Sequence, residues 1–394
     1  MLNPDFSSPP QNDGIVGRQI AFFAAFLLPV YKLLELPSIL ARFLEGDLLL
    51  PALLHFLVQT GLLIALLYAA SRSQKPLFLR LEESLGKWAS LFYALYALYF
   101  LFAAILPLLD LEKFVYAAFY DTAPTLFSFA FFFLLSGFIC TKGVKSIGRS
   151  ADLCLFLFPL PLLVLLLMSL GEADLTHLLP FFEKKFGNTM SAFIYTTPHF
   201  SDALLLLPLI GNLHYKKRDA LKITAGYCGG TLLVFLFLAV FFGVYSTLAP
   251  AQHYAFSKIA QYFPALSVIG RVDLVLVYIL CVVLFFFVCT PLQYTVHLIA
   301  RPFGTSRKTL LSFIVNFAAF LFVLFSNRFY DGFYAVISGT LAPVFWAFWL
   351  IPLLLLLLPR GNGGKKDTGN GKKGKENKEK KSKKKETEKE KGYA

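Results

Sequence analysis

Two short stretches of this 394-residue chain place ionisable and hydrogen-bonding side chains in otherwise apolar surroundings. The first reads FFAAFLLPVYKLLELPSILARF, with Val30, Tyr31, Lys32 and Glu35 lying between Pro29 and Pro37. Each proline removes a backbone donor and clashes with the preceding turn, so the helix is expected to break here. A charge at bilayer depth costs roughly 2.5–3.5 kcal/mol on the lenient insertion scale. Lys32 and Glu35, three apart on one helix face, either offset each other as a self-contained pair or line a polar cavity and contact a ligand or proton. The second stretch reads AFIYTTPHFSDALLLLPLIG and gathers Tyr195, Thr196, Thr197, His199, Ser201 and Asp202. Thr197 before Pro198 has the form of an N-cap and first helical residue, which predicts a half-helix starting inside the apolar segment. Its free N–H groups and partial positive charge suit a carboxylate. Asp202, about one turn in, either stabilises that terminus or pairs with Lys32.

Other polar residues carry less chemistry. Tyr93, Tyr96 and Tyr99 repeat every third residue and either wall a cavity or pack. His55 with Gln59, and Gln293, Tyr294 with His297, read as polar faces that tie helices together. Asp152 beside Arg149 reads as an interfacial pair. The five cysteines (Cys140, Cys154, Cys228, Cys281, Cys289) form no CxxC pair, which argues for packing rather than a disulfide framework or a metal site. GxSxG, HExxH and Walker motifs are absent, so no enzyme and no cofactor is expected.

The elements that must position these residues follow from composition. Apolar residues make up 57% of the chain and charged residues 15%. The stretch from Arg360 to Ala394 alone holds 14 of the 37 Lys and Arg and 6 of the 24 Asp and Glu, so most of the net +13 belongs to that tail. The remainder is far below the roughly 25% charge of a soluble domain. An all-α integral membrane protein is expected, because lipid leaves every backbone group to be satisfied within its own helix. Ten runs are long enough to cross about 30 Å of hydrocarbon. They cover 17–44, 48–70, 88–109, 124–141, 151–170, 188–213, 220–248, 272–299, 310–326 and 333–358.

One alternating set of connections holds 15 basic residues, among them Arg18, Arg72, Lys142, Lys216 and Arg301, against 7 in the other, among them Arg42, Lys113 and Lys258. That bias puts the first set, and both termini, in the cytoplasm. The first run lacks the basic leader and small-residue site of a cleavable signal. The Lys-rich tail cannot bury enough surface to fold, and its partner is expected to be anionic lipid rather than nucleic acid.

Ten spans split five and five, and an odd number per half inverts one half relative to the other. Inverted-repeat transporters bind substrate near mid-bilayer where corresponding helices are interrupted. Helices one and six correspond in that scheme, and both carry the breaks described above. The expected organisation is 1–16 as a cytoplasmic N-terminal segment, 17–170 as repeat one, 171–358 as an external segment with repeat two, and 359–394 as a disordered tail.

The segments GRQIAFF, LPSILARFLEGDLLL, IGRSADLCLFLFPLPLLVLLL with DLTHLLPFF, and FPALSVIGRVDLVLVYIL occur in an order that resembles the GerAB-type spore germination permeases, the B subunits of nutrient germinant receptors. The resemblance runs from Gly17 to about Leu358. It implies the amino acid–polyamine–organocation transporter fold of ten helices in two inverted repeats, and the spore inner membrane as location. It further implies binding of a small nutrient such as an amino acid, with the family's A and C subunits as partners. Carried onto this chain, the ligand site falls at Val30–Glu35 and Thr196–Asp202. Proton-coupled amino-acid transport and a structural subunit with a degenerate site are the alternatives.

Overall fold

Apolar segments of this length bury their peptide groups only as helices, and helices are what the chain forms. The computed structural model describes residues 15–72, 75–119, 125–179, 182–262, 273–303, 307–326 and 329–358. No strand occurs among them, only an isolated parallel bridge between Ile15 and Leu213. The expectations for the Lys-rich tail, for the N-terminal segment up to residue 14 and for most of FPALSVIGRVDL fall outside the described residues.

The helices, in chain order, are α1 Gly17–Phe22, α2 Leu28–Lys32, α3 Leu36–Leu44, α4 Leu49–Ser71, α5 Leu77–Leu85, α6 Trp88–Phe119, α7 Thr125–Cys140, α8 Lys145–Leu157 and α9 Pro159–Leu170. They continue as α10 Phe186–Thr196, α11 Asp202–Gly211, α12 Asp219–Tyr245, α13 Ala255–Tyr262, α14 Asp273–Phe303, α15 Lys308–Ser326, α16 Tyr330–Ala335, α17 Ala342–Trp349 and α18 Ile351–Leu354. Over the described residues each anticipated apolar run is mostly helical. By length and apolarity, six described helices can cross a membrane, or up to eight if each of two bent pairs is one span. The protein is an integral membrane protein.

Three local features shape the interior. A π-helical turn, Phe23–Leu27, joins α1 to α2 and absorbs Pro29, which then sits at the start of α2 where a missing N–H costs little. α8 and α9 meet at a bend of 40° before Pro159, so the anticipated fifth run is not straight. The face of α12 that carries Gly226 and Gly230 lies against the first helix: a Cβ on Gly230 would stand 2.6 Å from the Ala24 carbonyl oxygen, and one on Gly226 would collide with the Ala21 carbonyl. Small residues four apart let two helix backbones meet this closely.

Large apolar side chains such as Leu57 (61% exposed), Leu98 and Phe131 face outward, where a bilayer would cover them. The side chains of Lys32, Glu35, Asp47, His55, Gln59, Asp110 and Asp202 are buried instead. Burial on this scale demands that the polar groups satisfy one another.

Candidate functional site

Helix one breaks at Leu33–Leu34, between α2 and α3, with Glu35 as the residue before α3. Helix six breaks over a longer stretch: α10 ends at Thr196, a 3₁₀ turn covers Thr197–His199, and α11 starts at Asp202. This corrects the expected start at Pro198. Thr197 has helical φ −47° and ψ −43°, and its hydroxyl donates back to the Phe193 carbonyl at 3.1 Å. It therefore finishes the preceding helix rather than capping the next. Asp202 is consequently the first residue of α11, not one turn inside it, and its carboxylate sits at the helix N-terminus, where negative charge is favoured.

The two breaks meet through charge. Lys32 Nζ lies 2.6 Å from Asp202 Oδ1 and donates to the Leu28 carbonyl at 3.3 Å. The Tyr227 hydroxyl of α12 donates to Asp202 Oδ2 at 2.9 Å. The rings of Phe200 and Phe56 face the ammonium at 5.3 Å and 6.0 Å. Lys32 and Asp202 are 2% and 1% exposed. Lys32 is thus not paired with Glu35, whose Oε2 instead meets His253 Nδ1 at 3.2 Å. Two neighbours on one helix face have separated because the break turns them towards different partners.

The backbone freed by the second break is satisfied from α4. Gln59 donates through Nε2 to the Phe200 carbonyl at 2.8 Å and accepts the Ala203 N–H through Oε1 at 3.0 Å. His55 Nε2 lies 2.9 Å from the Phe193 carbonyl and 3.1 Å from Thr196 Oγ1, with its ring stacked on Phe193 and Phe200. The pair expected to tie helices together therefore braces the broken one. Asp152 lies elsewhere than expected: it meets Arg18 at 3.6 Å and Gln19 at 2.9 Å on α1, because α8 packs against that helix. Tyr96 bonds the Leu204 carbonyl at 2.6 Å and Tyr93 bonds Glu82 at 2.9 Å, so these two act in packing.

Above the breaks lies a cavity of about 820 Å³. Glu35, Arg42, Lys113, Tyr195, His253 and Tyr334 are among its lining residues, and exposed Arg42 and His253 bring it to the surface. Of the expected site residues, Glu35 and Tyr195 line it. Tyr31 and His199 form the layer beneath, stacked at 5.0 Å, with the Tyr334 hydroxyl 3.4 Å from His199 Nε2. Lys32 and Asp202 lie among the breaks, with Thr196, Thr197 and Ser201 buried on the second break and Val30 buried in α2.

Sequence reasoning did not anticipate Asp110, whose oxygens accept from the Tyr31 hydroxyl at 2.7 Å and the Tyr330 hydroxyl at 2.6 Å. Nor did it single out Tyr227, Arg42, Lys113 or His253. Asp110 was legible only as one more acid at the end of an apolar run. Tyr254, in the link between α12 and α13, holds a left-handed φ of 56° and also lines the cavity. Burial, and then the facing Glu35 and Asp110 carboxylates, raise its phenol pKa, so it stays protonated.

At the opposite end the described residues are tied together. Arg301 Nε donates to Glu82 Oε1 at 2.6 Å, and its NH1 donates to Asn212 Oδ1 at 3.0 Å. The guanidinium covers the rings of Phe78 and Tyr93. Tyr93 and Lys113 mark the two ends of this arrangement on α6, about 30 Å apart along the helix. No group of three or more His, Cys, Asp or Glu side chains able to hold a metal occurs among the described residues.

Among solved structures, the crystal structure of MhsT in complex with L-phenylalanine is similar over 86% of this chain and 86% of that one, at 16% identity and a TM-score of 0.57. At that identity the likeness concerns the fold alone. No curated protein matches the chain. The family model described as spore germination protein, the spore permeases, matches residues 48–358, beginning after the first broken helix and so later than Gly17, where the resemblance was drawn. With most of its length matched, the chain belongs to the spore germination permease family.

Proposed function

We propose that the protein is a permease-like subunit that binds a small nutrient, an amino acid, near mid-membrane and signals through partner subunits. The observation that carries this reading is the Lys32–Asp202–Tyr227 cluster, which joins two helix breaks beneath a cavity open to one face. A buried charge pair that joins two broken helices ties their positions together, and a ligand that binds one arrangement of the breaks better than another shifts the populations towards it. The bound L-phenylalanine of the MhsT structure lends support by analogy of fold. Within this reading the spans form two inverted five-helix repeats in the spore inner membrane. Both termini lie in the cytoplasm, the basic tail rests on anionic lipid, and the family's A and C subunits receive the signal.

The test is nutrient-triggered germination of spores carrying Lys32→Ala or Asp202→Ala at normal protein levels. Loss of response is expected, and a normal response in both variants contradicts the reading. A second reading, proton-coupled amino-acid transport, draws on ionisable groups at two depths, Glu35 with His253 and Lys32 with Asp202. Uptake into proteoliposomes that ignores a pH gradient dismisses it. For a purely structural subunit, no nutrient binds the purified chain.

A further inference from the structure

The outer cavity has a chemistry of its own, distinct from that of the charge pair below it. Its volume of about 820 Å³ is that of a small-molecule pocket. Charges of both signs meet there. Lys113, on α6, has no carboxylate within ion-pair distance among the described residues; its ammonium instead lies 3.2 Å from the centroid of the Tyr330 ring. Arg42, on α3, donates through Nε to the Pro250 carbonyl at 3.1 Å and through NH2 to His253 Nε2 at 3.1 Å. Accepting at Nε2 leaves His253 with its proton on Nδ1, which donates to Glu35 Oε2 at 3.2 Å. Glu35 Oε1 makes no hydrogen bond among the described residues. Four tyrosines, Tyr195, Tyr254, Tyr330 and Tyr334, complete the walls with apolar faces and phenol tips.

We propose that this cavity is a recognition site for a zwitterionic amino acid with an apolar side chain, Lys113 with Arg42 taking the α-carboxylate, Glu35 the α-ammonium and the tyrosine walls the side chain. The inference rests on the reading above and specifies where, and by which ends, the nutrient is first held. A carboxylate offers Lys113 a far stronger partner than a ring face. An amine without a carboxylate faces two cations, and an acid without an amine faces Glu35, so a ligand with both ends is the one selected. Glu35 is also the residue before α3, so an ammonium that draws it from His253 acts on the first break itself. Below, Tyr334, His199 and Tyr31 carry a displacement towards Asp110 and the second break.

The test uses the full chain in lipid nanodiscs, titrated calorimetrically with each proteinogenic amino acid. The tightest ligand is then compared with its decarboxylated and deaminated analogues. Lys113→Met and Glu35→Gln are each expected to weaken binding by at least about tenfold, with Lys113→Arg within about threefold of the parent. Removing the ligand carboxylate is expected to cost about tenfold in the parent and to add little in Lys113→Met; removing the amine does the same with respect to Glu35→Gln. If folded Lys113→Met and Glu35→Gln bind as the parent does and only Lys32→Met loses binding, the ligand sits at the breaks. The cavity proposal then fails while the nutrient-binding reading stands. If no amino acid binds the folded parent, both fail.

Discussion

Lys32 is held by a carboxylate, a backbone carbonyl and two ring faces, all inside the protein. Removing either member of such a pair leaves an uncompensated buried charge, so Lys32→Ala or Asp202→Ala is expected to lower stability by about 3–5 kcal/mol. Tyr227→Phe removes one donor to the carboxylate and is expected to cost about 1.5–3 kcal/mol by thermal unfolding in detergent. Gln59 serves the backbone rather than a charge. Gln59→Leu strands the Phe200 carbonyl and the Ala203 N–H, an expected loss of about 1–3 kcal/mol per group. A Gln59→Leu protein as stable as its parent means that water or a shifted backbone supplies those bonds. At this scale the sequence was informative about residue type and left the partner open, offering Lys32 either Glu35 or Asp202. Lys32 and Glu35 stood out as charges in an apolar run, but their spacing suggested each other, and only the break sends one to Asp202 and the other to His253. Asp110, Tyr227 and His253 come from distant parts of the chain, so no local pattern could bring them to the site.

The elements follow from hydrophobic length and from proline, with exceptions that have local causes. Each apolar run became helix because lipid allows the backbone little else. Pro29 is accommodated by the π turn ahead of it, and the break falls after Lys32 instead. The second break proved longer than Thr197–Pro198 implied, because Thr197 bonds backwards and Gln59 supports the non-helical residues that follow. Close approach of α12 to the first helix was not legible, since glycine in an apolar helix signals nothing until its neighbour is known. It leads to a paired prediction. Gly230→Ala forces a methyl group onto the Ala24 carbonyl and is expected to destabilise the protein and disturb the first break, whereas Gly229→Ala, with nothing within 4 Å, is expected to be silent. Equal effects of the two substitutions on thermal unfolding argue against this packing.

For the whole molecule, the cavity lies at one end of the route between the broken helices, and the Arg301–Glu82–Asn212 contacts close the other. Among the described residues, the arrangement is open at the cavity and bonded together at the other end. Weakening the closed end with Arg301→Ala is expected to expose Asn212→Cys, in a background with the five native cysteines replaced, to a membrane-impermeant thiol reagent several-fold faster than in the Arg301 parent. No change in labelling rate means that packing of α5, rather than the ion pair, seals that end.

The claim on which the rest depends is that the two helix breaks are joined by the Lys32–Asp202 pair, and a double-mutant cycle measures it directly. Unfolding free energies of Lys32→Met, Asp202→Leu and the double variant should reveal a coupling of about 3 kcal/mol, the double variant recovering much of what each single change loses. Single effects that simply add, to within about 0.5 kcal/mol, contradict a shared pair.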